Sequence, residues 1–68
     1  MDLIKKYLYS KWTSLDKVNG WRHFEVKNVL LKTQELEIFS ICDKNIIIRV
    51  KFDHIEDKTK WAKGWIKL

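Results

Sequence analysis

The fold class is decided by residues 46–52, which read IIIRVKF. Every second side chain of this stretch is apolar, and the intervening positions carry one isoleucine and two cations. Successive side chains of a β-strand point to opposite faces, so this alternation predicts a strand with one face in the core. The same period of two recurs at Phe24 and Val26 and again at Leu36 and Ile38. We therefore expect a mainly β chain.

Turn signals separate these runs at short intervals. Asn19-Gly20 is the strongest of them, because both residues tolerate the positive φ that a type I′ hairpin turn needs. Thr33-Gln34 and residues 43–45 are weaker polar breaks. A strand over residues 11–18 is expected before the Asn-Gly turn, so the chain should form hairpins between neighbouring strands.

The two ends of the chain differ in character from its middle. Asp53 and Glu56 have the spacing of a capping box, which predicts a helical turn near residues 54–59. Residues 61–68 indicate a short last strand, with Gly64 at a bulge or at a close backbone approach. The apolar spacing of residues 3–8 fits a short N-terminal helix and fits an extended segment as well.

About five strands in one domain, residues 1–68, predict a small SH3-like barrel or strongly curved antiparallel sheet. Closure is physically attractive, because a flat sheet of this size would expose one face and two edges. An open, strongly curved sheet with the N-terminal helix across it is the alternative. An OB-like barrel is disfavoured, because the segment between the third and fourth strands is too short for its usual helix.

Several apolar side chains fall out of phase with this predicted core. They could line an interface between copies of a homo-oligomer, since a 68-residue domain has a marginal core. These residues are Val29, Leu31, Phe39, Ile41 and Ile47. Cys42 follows the inward phase of the preceding strand and is predicted to be a small core residue.

Charge and tryptophan content indicate the surface most suited to binding. Fourteen basic and nine acidic side chains give a net charge of +5, which favours an acidic face or a polyanion as partner. Trp61 and Trp65 lie four residues apart among lysines, which is typical of an aromatic platform for bases or for an extended peptide. Trp12 and Trp61 can equally fill the core, whereas Trp21 and Trp65 are expected to be partly exposed. The predicted binding residues are Trp21, Arg22, Lys60, Trp61, Lys63, Trp65 and Lys67.

The sequence lacks the constellations that enzymes and metal sites require. One cysteine and two histidines show no zinc-ligand spacing, and two isolated glycines cannot build a phosphate loop. His23 is predicted to be a structural hydrogen-bonding residue, and no nucleophile has a recognisable base. The chain also has no apolar run long enough to span a membrane and no visible secretory signal. We expect a cytoplasmic, non-enzymatic protein without cofactor or metal.

Three short motifs give the chain a family resemblance. They are SKWT at residues 10–13, HFEV at residues 23–26 and WAKGW at residues 61–65. Their order and spacing resemble a family of small tryptophan-rich conserved proteins of unknown function from cyanobacteria and some marine proteobacteria. The resemblance implies a cytoplasmic bacterial protein or a phage-borne relative, and it implies no catalytic activity.

These observations lead to one functional expectation and two alternatives. We expect a small basic module that docks on another macromolecule, most simply a protein, through the tryptophan and lysine residues near the C-terminus. Scarce arginine argues against base-specific readout, so the first alternative is nonspecific binding of RNA or other single-stranded nucleic acid through the backbone. The second alternative is a structural subunit of an oligomer or of a larger complex. None of these three hypotheses involves a membrane.

Overall fold

Residues 2–67 form seven elements in succession, and five of them are strands. The computed structural model describes residues 2–67. The elements are α1 (Leu3–Tyr7), β1 (Lys11–Val18), β2 (Trp21–Leu30), β3 (Glu35–Ser40), β4 (Ile47–Lys51), α2 (Phe52–Ile55) and β5 (Trp61–Lys63). The strands form one antiparallel sheet in the order β4-β3-β2-β1-β5. The prediction of a mainly β chain with five antiparallel strands and a short helix is confirmed.

The sheet described by residues 2–67 is open and has two edge strands. Within residues 2–67, β4 pairs with β3 alone and β5 pairs with β1 alone, so these two strands are the edges. Closure into a barrel, and with it the SH3-like arrangement, is not confirmed. The N-terminal helix is present as α1, as in the open-sheet alternative.

The core lies on one face of the sheet, which we call the core face; the opposite face is the outer face. Alternate residues of each strand supply the core, and the two helices add Tyr7 and Ile55. The buried apolar residues are Tyr7, Trp12, Phe24, Val26, Leu36, Ile38, Val50, Ile55 and Trp61. Stacking of Tyr7 on Phe52, with ring centroids 5.1 Å apart, joins α1 to α2.

The first hairpin turn forms where the sequence predicts it. Asn19 and Gly20 both have positive φ, 52° and 87°, as a type I′ turn requires. Strands β1 and β2 flank these two residues directly, so the turn fixes the start of their pairing.

A β-bulge in β2 changes which side chains reach the core. Val26 pairs with Ile38, but the register then shifts so that Val29 pairs with Leu36. Lys27 is the extra residue, and it brings Val29 round to pack against the core. The expectation that Val29 lies out of phase is therefore wrong. Of the other four residues in that group, Leu31 and Ile47 are exposed, and Phe39 and Ile41 are half-buried.

The helical turn near the C-terminus starts earlier than its sequence indicates. Helix α2 begins at Phe52 with Lys51 at its N-cap position, and no side chain caps it. Asp53 therefore lies inside the first turn, and the predicted capping box is wrong. The Asp57 carboxylate instead accepts hydrogen bonds from the amide and hydroxyl of Thr59, at 2.9 and 2.6 Å, in the following turn.

Cys42 is exposed, so its prediction as a core residue is wrong. Strand β3 ends at Ser40, whose hydroxyl accepts hydrogen bonds from the backbone amides of Cys42 and Asp43 at 3.2 and 3.3 Å. The chain turns at this point, so the inward phase of the strand does not continue to residue 42.

Candidate binding groove

The residues after β5 turn back over the outer face of the sheet. We call residues 64–67 the C-terminal segment. Gly64 has a φ of 80°, and a Cβ built on it would meet nothing within 4 Å, so this position needs glycine for its backbone conformation and not for a close approach. The Thr13 hydroxyl donates to the carbonyl of Gly64 at 2.7 Å and accepts from the amide of Ile66 at 2.9 Å. The segment is thereby attached to β1.

His23 and Trp65 complete the attachment of the C-terminal segment. The Nε2 atom of His23 lies 2.8 Å from the carbonyl oxygen of Ile66, which confirms the predicted structural role of this histidine. The indole of Trp65 donates to the carbonyl of Phe24 at 2.9 Å. The Lys11 ammonium lies 5.2 Å from the centre of the Trp65 ring, within the range of a cation–π contact.

Trp61 and Trp65 have different environments and do not form one platform. Trp61 is 4 % exposed and packs edge-on against Phe24, with ring centroids 5.9 Å apart. Trp65 is 41 % exposed and lies beside Lys11, on the outer face. The positive φ of Gly64 reverses the chain between the two rings. A surface that stacks bases on both indoles is therefore not available.

A groove of about 310 Å³ lies between α2 and the β1–β5 pair. Its lining residues are Trp12, Ile55, Glu56, Lys58, Trp61, Ala62 and Lys63. We call it the α2–β5 groove. Strand pairing places Lys63 opposite Trp12 and Trp61 opposite Ser14, so these side chains share the core face. The apolar floor is made by Trp12, Ile55 and Trp61, and charged side chains form the rim.

The charges on the rim are not balanced. The Tyr7 hydroxyl donates to the Glu56 carboxylate at 2.5 Å, and the Lys6 ammonium lies 3.5 Å from the same oxygen. The hydrogen bond from Tyr7, helped by the charges of Lys6 and Lys63, holds the pKa of Glu56 below its usual value of 4.5, although partial burial opposes the shift. Burial and the bond to Glu56 raise the pKa of Tyr7 to about 12.

Glu56 is thus already engaged by α1. Among residues 2–67, its contact with Lys6 is the one ion pair within 4 Å. Lys58 and Lys63 are exposed on the rim without such a partner in this part of the chain. The groove therefore combines an apolar floor with a cationic rim.

The structure brings together only part of the predicted site. Trp61 and Lys63 line the groove, whereas Lys60 and Lys67 are exposed outside its lining. The Arg22 guanidinium donates to the carbonyl oxygens of Leu15 and Ser14, the latter at 3.4 Å. These two hydrogen bonds lie where the register of the β1–β2 pair shifts, between Thr13 and Val18. The Arg22 guanidinium is therefore bonded to the backbone of β1. Trp21 is 38 % exposed at the hairpin end of β2, opposite Val18 of β1.

Five lining residues were not predicted. Trp12 was considered as a core residue and was not among the predicted binding residues; its ring does lie in the core and also contributes to the groove floor. Ile55 and Glu56 were missed because the capping-box spacing predicted a later start of the helical turn, whereas α2 begins at Phe52. Lys58 belongs to the same lysine-rich run as Lys60 and Lys63, which is the one signal that pointed towards it. Ala62 gives no signal by itself.

Two other features are absent from residues 2–67, a metal-binding cluster and a membrane-spanning helix. Histidine, cysteine and carboxylate side chains form no group of three there that could hold a metal ion. The two helices of this part of the chain are too short and too polar to cross a membrane.

Comparison with known proteins gives one match. Residues 10–66 match the model of a family described as Tryptophan-rich protein (DUF2389). The chain belongs to this family. The three motifs that indicated it converge on the C-terminal segment, because Thr13 bonds to Gly64 and the indole of Trp65 bonds to Phe24. No curated protein and no solved structure matches this tryptophan-rich protein.

Proposed function

We propose that this tryptophan-rich protein is a non-enzymatic docking module whose α2–β5 groove binds an acidic segment of another protein. The observation that carries the proposal is the pairing of an apolar floor with two rim lysines that have no ion-pair partner within 4 Å among residues 2–67. An apolar side chain of the partner would anchor in the groove, and carboxylates beside it would meet Lys58 and Lys63. Binding hot spots are usually large anchors in desolvated pockets, and the rim around an interface core is polar.

Electrostatics favours an acidic partner. The chain carries a net charge of +5, which steers acidic surfaces towards it and raises association rates. The rim carries one carboxylate and two lysines, and that carboxylate is also bonded to Tyr7 and Lys6, so the rim keeps a net positive charge. Each Lys–carboxylate contact at such an exposed rim contributes about 0–1 kcal/mol, so the apolar anchor must supply most of the affinity.

A protein partner fits this surface better than single-stranded RNA. Base stacking needs an accessible ring face, and Trp12 and Trp61 are only 3 % and 4 % exposed. The exposed ring of Trp65 lies on the other face of the sheet, beside Lys11. The exposed lysines can also bind phosphates. The experiments must therefore distinguish binding of nucleic acid from binding of an acidic peptide.

Selection from a displayed library of random peptides tests the proposal without knowledge of the natural partner. We expect enriched peptides to carry aspartate or glutamate around one large apolar residue. The double variant Lys58→Glu/Lys63→Glu should lose at least tenfold in affinity for them. The matched control is Lys17→Glu/Lys32→Glu, which makes the same charge change at exposed positions outside the groove lining. Equal losses in both variants would show that only net charge matters, and the groove would not be the site.

Titration with single-stranded RNA at low and moderate salt tests the alternative. Tryptophan fluorescence reports binding, and a nonspecific backbone binder would show a steep salt dependence. Strong quenching by RNA together with no enriched acidic peptide would replace the proposal with nucleic-acid binding.

A further inference from the structure

Strand β4 presents an open edge. The amide of Ser40 donates to the carbonyl of Ile46 at 3.1 Å, and the amide of Phe52 donates to the carbonyl of Gln34 at 3.0 Å. These bonds fix the phase of the β3–β4 ladder, in which alternate residues point their backbone groups towards the neighbour. Ile47 and Arg49 of β4 point both their N–H and C=O groups away from β3, whereas Lys51 offers only its N–H there, because its carbonyl is the N-cap acceptor of α2. No other strand of residues 2–67 pairs with them.

The side chains along this edge form a definite pattern on the outer face. On the neighbouring strand β3, Phe39 lies opposite Ile47, and glutamates lie opposite Arg49 and Lys51. Ile47 is 43 % exposed, and beside it lies a second groove of about 190 Å³, lined by Lys27, Phe39, Lys44 and Ile47. The free edge therefore presents an apolar position followed by two cationic ones, and the ammonium of the second, Lys51, also donates to the carbonyl of Thr33 at 3.1 Å.

A second copy of the same chain does not suit this edge. Two β4 strands that paired antiparallel through all three edge residues would place Arg49 opposite Arg49. Like charges directly opposite each other destabilise a strand pair. Charged residues on an edge strand also protect a sheet from edge-to-edge association. The complementary occupant is an acidic strand of a different protein.

We propose that the open edge of β4 binds an extended acidic segment of a partner protein as a sixth, antiparallel strand. Backbone hydrogen bonds to the three edge residues would supply affinity, and side chains would supply specificity. The expected pattern is acidic, any, acidic, any, apolar, which the ELEIF sequence of β3 itself displays. This site lies at the sheet edge opposite to β5, so it is separate from the α2–β5 groove.

A synthetic peptide that copies residues 34–40, QELEIFS, is the probe for this site. Titrated into ¹⁵N-labelled protein, it should shift the amide resonances of Ile47, Arg49 and Lys51 and slow their hydrogen exchange. A peptide with both glutamates replaced by lysine should bind at least tenfold more weakly. Shifts confined to residues of the α2–β5 groove would overturn this proposal and leave the groove as the binding site.

Two further measurements separate strand addition from simple charge attraction. The first uses the same peptide methylated at the backbone amide nitrogens of its two glutamates and its phenylalanine. Methylation keeps the side-chain charges but removes these three backbone hydrogen-bond donors. We expect this peptide not to bind. The second compares Arg49→Pro with Arg49→Gln. Both remove the charge, but only proline removes an edge N–H, and that N–H makes no ladder bond to β3.

We expect Arg49→Gln to weaken peptide binding several-fold and Arg49→Pro to abolish it. Equal binding by the two variants, or full binding of the methylated peptide, would show that no sixth strand forms. The methylated peptide is tested on the unaltered protein, so the result stands even if Arg49→Pro disturbs the fold.

Discussion

At Thr13 a single buried hydroxyl joins β1 to the C-terminal segment. It donates to Gly64 at 2.7 Å and accepts from Ile66 at 2.9 Å, and the side chain is fully buried. Thr13→Val keeps the shape but removes both bonds, which leaves a carbonyl and an amide without their partner. We expect a loss of about 1–3 kcal/mol in the free energy of unfolding, measured by urea denaturation.

The control for this substitution is Thr33→Val, which makes the same chemical change in the exposed turn between β2 and β3. It should change stability by less than about 0.5 kcal/mol. Trp65 should also become more accessible to a fluorescence quencher in Thr13→Val, because the segment that carries it is released. An unchanged stability of Thr13→Val would mean that the segment is held by other contacts.

Glu56 makes stability depend on pH at the acid end. Its pKa is lowered in the folded protein, chiefly by the hydrogen bond from Tyr7, so the folded state binds its proton less readily than the unfolded state does. Its stabilising contribution is therefore present above its usual pKa of 4.5 and is lost as the pH falls through the lowered value. Because the side chain is 44 % exposed, we expect less than about 1 kcal/mol from it.

Glu56→Gln tests this linkage. The variant should be less stable than the natural protein at about pH 7, and the difference should shrink as the pH falls below 4.5 and through the lowered pKa of Glu56. Unfolding curves at a series of pH values give the comparison. Glu25→Gln is the control, since no side-chain hydrogen bond or ion pair of Glu25 is found among residues 2–67. A pH-independent difference would show that Glu56 acts through its shape and not through its charge.

Among the elements, β2 shows how one extra residue changes a strand. Lys27 is the bulge residue, and pairings on either side of it keep Val26 and Val29 on the core face. Deletion of Lys27 would make the strand regular while keeping both valines inward. We expect this deletion variant to fold with nearly unchanged far-UV circular dichroism and a cooperative urea transition.

Deletion of Glu25 is the matched comparison. It also shortens β2 by one residue, but between Phe24 and Val26 it would turn one of the two buried side chains to the outer face. We expect that variant to lose cooperative unfolding. If deletion of Lys27 is equally damaging, the bulge is needed for the curvature of the sheet and not only tolerated.

The strands were predictable because their signal is local. The alternation of residues 46–52 and the Asn19-Gly20 turn needed no knowledge of distant partners, and both are found as expected. The bulge at Lys27 could not be predicted, because its cause is the pairing of β2 with β3 and not a residue preference. The exposure of Cys42 likewise follows from where β3 ends.

The candidate site was less predictable for the same reason. A spacing of four residues places Trp61 and Trp65 on one face of a regular strand or helix, and Gly64 breaks that regularity with its positive φ. Lysine content indicated Lys63, which lines the groove. Which apolar side chains lie beside it depends on how α2 crosses the core face, and this is a tertiary property.

For the whole molecule, the two proposed surfaces lie at opposite edges of one sheet. Strands β4 and β5 are four spacings apart in the strand order, which is about 19 Å at roughly 4.8 Å per strand. The α2–β5 groove is on the core face, whereas the pattern along β4 is on the outer face. Two acidic partners could thus bind at the same time without contact between them, and the protein would act as a bridge.

The same charge distribution predicts that the protein does not associate with itself. Both surfaces are cationic, and Arg49 would face its own copy in a paired β4 edge. We expect sedimentation to show an 8.3 kDa monomer from low to high micromolar concentration. Arg49→Leu removes the repulsion and extends the apolar edge next to Ile47, so it should self-associate as concentration rises, whereas Arg49→Lys should stay monomeric. A dimer of the natural protein would favour the structural-subunit alternative, and a monomeric Arg49→Leu would show that repulsion at Arg49 is not what keeps the edge free.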